Sequence, residues 1–247
     1  MSQASNIEWT DATWNPCTGC TKASPGCKNC YAEVMAKRLQ GKKIKEYVNG
    51  FQPTMHPSKL WAPNGWKKPK RIFVGSMTDL FHDAFPIEFI KDVFKVMNYN
   101  ERHTFQVLTK RPERMAALAK DLIWTPNIWA GTSVENADYV YRIDYLRQVP
   151  CEIRFLSVEP LIGPIPEFNI SGISWVIVGG ESGWGARKME ADWVRPIRDL
   201  CIATQTPFFF KQWGGTEKKT LGRELDGRIW SEFPLTTARH LTDDLAA

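Results

Sequence analysis

The chain has 247 residues, of which 43% are hydrophobic and 24% charged, and its net charge is +5. That length suits one large α/β domain with a sizeable core. No apolar run approaches the roughly 18 residues of a membrane span and no charged-then-apolar leader opens the chain, so a cytoplasmic protein with reduced thiols is expected.

A barrel needs an opening strand around residues 7–13, for which Ile7–Thr10 is a weak candidate. Cys17, Cys20, Cys27 and Cys30 follow in a C-x2-C-x6-C-x2-C spacing, and Pro16, Gly19, Pro25 and Gly26 make the segment, about residues 12–31, a loop. From Tyr31 to Leu39 the spacing is helical, ending near Gly41. A polar connector, about residues 41–70, carries Lys42, Lys43 and Lys45, then Lys67, Lys68 and Lys70, with Trp61 and Trp66 interleaved. Short apolar strands are predicted at 71–75, 104–109, 127–131, 153–157, 175–179 and 207–211. Between them lie helices at about 87–98, through Met115 and Leu118, from Asn136 to Leu146, and at about 191–204. Cys151 and Cys201 sit in apolar runs and are expected to be buried thiols, and a polar extension occupies about 215–247. Strands alternating with helices at βα spacing predict a single domain, 1–247, folded as a partial TIM-type (βα)6 barrel with mostly parallel strands.

Every predicted strand ends in polar groups: Ser76 and Asp79, then Lys110 and Arg111, Thr132, Ser133 and Glu135, Ser157 and Glu159, Gly179, Gly180 and Glu181, and finally Lys211 and Gln212. In α/β barrels and open sheets, ligands bind at the carboxyl ends of strands. Any one of these residues can be a helix cap, as Ser133 and Ser182 would suit, but their recurrence across strands points to a site. The cysteine loop opens into the same mouth. Thiolates this close need a metal, and spacing alone leaves both structural zinc and an iron–sulfur cluster open. The zinc alternative is a stapled nucleic-acid-binding protein without catalysis.

The loop, the helix after it and the βα series resemble radical S-adenosylmethionine enzymes. More closely, Thr13-Trp14-Asn15-Pro16, Ser24-Pro25-Gly26-Cys27, Asn29-Cys30-Tyr31-Ala32-Glu33, Leu108-Thr109-Lys110-Arg111-Pro112 and Ser157-Val158-Glu159-Pro160 resemble the phage Gp37/Gp68 family, DUF5131. The resemblance implies that Cys20, Cys27 and Cys30 hold a [4Fe–4S] cluster, with Cys17 additional to the pattern. Its fourth iron would then bind S-adenosylmethionine, reduced through an external electron donor and cleaved to a 5′-deoxyadenosyl radical. On this pattern Ser76 and Asp79 receive the cofactor's amino group and Lys110 its carboxylate. Thr132, Ser133 and Glu135 meet the ribose, and Gly179 and Gly180 let backbone approach the adenine. Glu159, Glu181, Lys211 and Gln212 remain for a second substrate. Phage occurrence and the Lys/Trp segment at 61–71 make a nucleic acid base or nucleotide the expected substrate, with the segment following the phosphate backbone.

Overall fold

Each apolar run becomes a strand because both of its faces are covered, one by helices and the other by the inside of a curled sheet. The computed structural model describes residues 5, 7–216 and 222–235. In chain order the first elements are β1 (Ala12–Trp14), β2 (Cys17–Thr18), α1 (Tyr31–Gly41), β3 (Thr54–Met55), β4 (Arg71–Val74), α2 (Ile87–Tyr99), β5 (Thr104–Thr109) and α3 (Pro112–Leu118). They are followed by β6 (Ile128–Ser133), α4 (Arg142–Arg147), β7 (Arg154–Val158), β8 (Trp175–Gly179), α5 (Ala191–Ala203), β9 (Phe208–Gln212), β10 (Glu224–Leu225) and β11 (Arg228–Ile229). Seven strands form one sheet in the order β1-β4-β5-β6-β7-β8-β9, all pairs parallel. This is the partial TIM-type barrel that the alternation predicts, with β1 as an added edge strand.

Alternation along the strands divides the apolar residues between two cores. Ile72, Val74, Phe105, Val107, Phe208 and Phe210 face outward and pack with Ile90, Val93 and Met97 of α2, Met115 of α3 and Ile197 of α5. Phe73, Trp129, Phe155, Trp175, Ile177 and Phe209 face inward and close around Trp9. Helix α1 forms because Ala32 and Ala36, one turn apart, lie flat against Tyr47 and Met77.

Several expectations need correction. The opening strand is Ala12–Trp14, not Ile7–Thr10, because Trp9 leaves the sheet line to fill the barrel floor, 1% exposed and 4.8 Å from the Phe73 ring centre. The helix expected over Asn136 to Leu146 is a 3-10 turn, Ala137–Tyr139, followed by the short α4. Its periodicity breaks at Arg142, a charged side chain drawn into the interior beneath the Tyr139 ring. The connector contains three short 3-10 turns, Lys45–Tyr47, Pro57–Lys59 and Ala62–Gly65, and Thr54–Met55 pairs antiparallel with Cys17–Thr18. Its second basic run, Lys67 to Lys70, leads into the amino end of β4. Trp66 there packs on His103 and Trp61 on Tyr99. The Lys/Trp segment therefore lies at the opposite end of the sheet from the loops that follow the strands. The C-terminal extension falls partly outside the described residues; within them it contributes the β10–β11 hairpin. Cys151 and Cys201 are buried, as expected. Among the described residues no helix is long and apolar enough to cross a membrane.

Candidate functional site

The cysteine loop is tied to the carboxyl ends of the strands by its own small polar residues. Gly19 bridges Thr78, just beyond β4, and the Thr78 hydroxyl donates to the Gly19 carbonyl at 2.6 Å. Ser24 donates to Glu135 Oε1 at 2.6 Å, and the Asn29 amide donates to Glu181 Oε2 and to the Gly185 carbonyl, both at 2.9 Å. Gly26 lies so close to Glu135 that an added Cβ would stand 2.6 Å from its Cγ. The loop thus rests on acids that follow β6 and β8.

Those acids are held in turn by cations. Glu135 is fully buried and accepts from Lys110 Nζ at 2.7 Å and from Arg142 Nη1 at 3.0 Å. Burial opposes its charge, but the two cations outweigh it and hold the carboxyl below the usual range. Glu181 pairs with Arg187 at 2.5 Å, and Arg187 also donates to the Pro25 carbonyl. Asp79 accepts from the Phe81 and Lys110 backbone amides, the Thr109 hydroxyl and Arg111 Nη1.

Cys20, Cys27 and Cys30 are partly exposed and line one cavity of about 570 Å³. Cys17 is fully buried in β2, where it joins the outer core and does not line the cavity. Burial and the Asp79 carboxylate push the Cys20 thiol up to about 11 against the pull of Arg111, whose Nη1 lies 3.5 Å from the sulfur. Burial also raises Cys30, and it drives Cys17 up to about 12. Burial thus makes the Cys17, Cys20 and Cys30 thiols harder to ionise than a free cysteine, whereas metal ligation requires thiolates. Among the described residues, no three or more His, Cys, Asp or Glu side chains are gathered as a single ion would require.

The predicted residues divide into two shells. Ser76, Asp79, Lys110, Ser133 and Gly180 line the cavity with the cysteines, as do Glu159, Glu181, Lys211 and Gln212. Lys211 pairs with Glu159 at 3.0 Å on one wall, Ser157 donates to the same carboxylate, and Trp9, Phe73 and Leu108 form the floor. Thr132, Glu135 and Gly179 stand behind this lining. The Thr132 hydroxyl donates to the Thr109 carbonyl, and an added Cβ on Gly179 would stand 2.4 Å from Glu159 Oε1. Sequence reasoning gave no role to Arg142 or Arg187, the cations that neutralise the loop's anchor acids. Neither has a local motif; each is found only when the fold brings it to an acid.

The fold is similar to that of spore photoproduct lyase in two solved structures. One is a variant with bound AdoMet and dinucleoside spore photoproduct (TM-score 0.51, 10% identity), and the other is a complex with dinucleoside spore photoproduct (TM-score 0.50, 11% identity). Each match covers 81% of this chain but only 63% of the lyase, so the chain spans less than two thirds of the length of those proteins. No curated protein matches the sequence. A family model described as protein of unknown function, DUF5131, matches residues 4–234, and the chain belongs to that family.

Proposed function

We propose that this protein is a radical S-adenosylmethionine enzyme acting on a nucleic acid base or nucleotide. The observation that carries the reading is that Cys20, Cys27 and Cys30 open into one cavity at the carboxyl ends of the strands, while Cys17 turns away into the core. Three thiols that share a cavity suit a [4Fe–4S] cluster with one iron left for a ligand. When bound, cluster and cofactor together supply one-electron cleavage of a carbon–sulfur bond, giving methionine and a 5′-deoxyadenosyl radical.

The chain's own residues bind, orient and exclude water. Arg111, fixed by Asp79 and by Thr21, holds a positive charge beside Cys20 and favours its thiolate. Lys110, Ser76, Ser133 and the Gly180 backbone face the cavity and contact the cofactor. Asp79, Thr132, Glu135 and Gly179 hold them in place through the hydrogen bonds and close approaches described above. The Lys211–Glu159 pair, above the apolar floor, presents a donor and an acceptor to the second substrate. AdoMet and a dinucleoside bound in a protein of similar fold support this reading, and an external donor would supply the electron.

Anaerobic reconstitution with iron and sulfide is expected to give a brown protein with about four irons per chain that releases 5′-deoxyadenosine on reduction with S-adenosylmethionine. Alanine at Cys20, Cys27 or Cys30 ends both, while Cys17→Ala keeps both. A colourless chain holding one zinc ion, or equal loss in Cys17→Ala, would overturn the assignment.

A further inference from the structure

Of the eleven tryptophans, only Trp61 and Trp184 are exposed. Trp61 leans on Tyr99 at the far end of the sheet. Trp184 is 91% exposed and has no ring partner among the described residues. Its loop is not loose at the base. Gly183 donates to the Gly215 carbonyl, Ala186 closes a turn onto Gly183, and Asn29 of the cysteine loop holds Gly185. Gly183 (φ +109°) and Gly185 (φ +77°) adopt a backbone that L side chains rarely reach, which makes the turn sharp enough to present the indole outward. Gly183 itself lines the cavity that the cysteines share. A large flat apolar ring is thus presented at the rim, with no described residue stacked against it.

The charge around the rim indicates what lies against it. Within the cysteine loop, residues 20–30 hold Lys22 and Lys28 and no acid. Lys28, between two of the cysteines, is exposed and has no acidic partner among the described residues, and Lys22 reaches Glu33 only at 3.9 Å. Of the acids that line the mouth, Asp79, Glu159 and Glu181 are paired with Arg111, Lys211 and Arg187, and Glu135 behind them is paired with Lys110 and Arg142. A bare aromatic face beside exposed cations is the pairing that holds single-stranded nucleic acid: cations follow phosphates and the ring stacks on a base.

We propose that Trp184 is the stacking platform for a single-stranded nucleic acid laid across the mouth, positioning a neighbouring base over the cavity. This rests on the nucleic-acid reading of the substrate given above. It also assigns the binding face to the mouth instead of to the Lys/Trp segment at 61–71.

The test uses the reconstituted 247-residue chain and fluorescence anisotropy with a labelled oligothymidylate, an abasic strand of equal phosphate count and poly-L-glutamate. Oligothymidylate is expected to bind more tightly than either control. Trp184→Ala should weaken it at least about fivefold, and Trp184→Phe should restore most of the loss. The abasic strand should not distinguish the variants. Equal binding of oligothymidylate and abasic strand, an unchanged affinity in Trp184→Ala, or poly-L-glutamate binding as tightly as oligothymidylate would overturn the proposal; the last would mark the rim as a face for an acidic protein. Cluster absorbance is recorded for each sample. Failure of stacking with an intact cluster sinks this proposal alone, whereas Trp184-dependent binding by a chain that assembles no cluster sinks only the radical chemistry.

Discussion

At the amino ends of the strands, Trp9 meets Phe73 at 4.8 Å and Trp175 at 6.2 Å between ring centres, and Trp175 meets Phe209 at 6.0 Å. At the carboxyl ends of the same strands the inward positions carry Lys110, Ser133, Ser157 and Lys211, with acids placed to meet them. One sheet thus closes its floor with shape and its mouth with charge. Apolar closure is non-directional and leaves no group seeking a ligand. Buried ion pairs give a poor return in stability because desolvation offsets attraction, so their concentration at one end marks where something must be held. On the proposed function, the floor stabilises and the mouth is the binding face.

The strongest way to break that division is at the floor. Trp175 is fully buried, packs on Trp9, Trp129, Phe155, Phe209 and Phe233, and donates its indole N–H to the Glu232 carbonyl at 2.8 Å. Trp175→Ala is expected to lower unfolding stability by about 3–5 kcal/mol in urea titrations, while the folded fraction keeps its full iron complement. Loss of iron at unchanged stability would show that floor and mouth do not divide the work in this way.

A somewhat smaller effect is expected at the mouth. Glu135→Gln keeps shape but turns one accepting oxygen into a donor and strands the buried Arg142 without a counter-charge. We expect a cost of about 3 kcal/mol at neutral pH. Because the native carboxyl is held below its ordinary value of 4.5, its contribution is complete above that value and disappears as pH falls through the native one. The wild-type advantage over Glu135→Gln should therefore shrink under acid, as measured by urea midpoints across a pH series. An advantage that grows on acidification would refute the ion-pair account.

The sheet was legible because strands buried on both faces read as uninterrupted apolar runs, as after Arg71 in β4 and along Trp175–Gly179. The cavity lining was legible at Ser76, Lys110 and Ser133 because strand ends mark the mouth of any such barrel. Position along a strand was not enough for Thr132. One residue from Ser133, it faces the opposite side, since a shift of one along a strand exchanges faces. Arg142 and Arg187 were illegible for a different reason. Their meaning lies in the carboxylates of Glu135 and Glu181, and no periodicity encodes such a pairing. Trp9 misled because β-propensity favours tryptophan in strands, while here burial in the floor decided its conformation.

The smallest expected effect is the sharpest test of which end meets nucleic acid. Lys67 and Lys68 are exposed and precede β4, whereas Lys28 stands in the cysteine loop beyond the other end. Six-residue strands such as β5 separate the two faces by about 20 Å. At physiological salt the screening length is about 8 Å, so charges on the amino-end face contribute little to a polyanion bound at the mouth. Reversing both, Lys67→Glu with Lys68→Glu, should leave oligonucleotide affinity within about twofold and its salt dependence unchanged. Lys28→Glu should weaken binding and flatten the salt slope by about one phosphate contact. If the pair at 67 and 68 proves the more costly, the strand runs over the aromatic floor, and the mouth must be reserved for a ligand without a phosphate backbone.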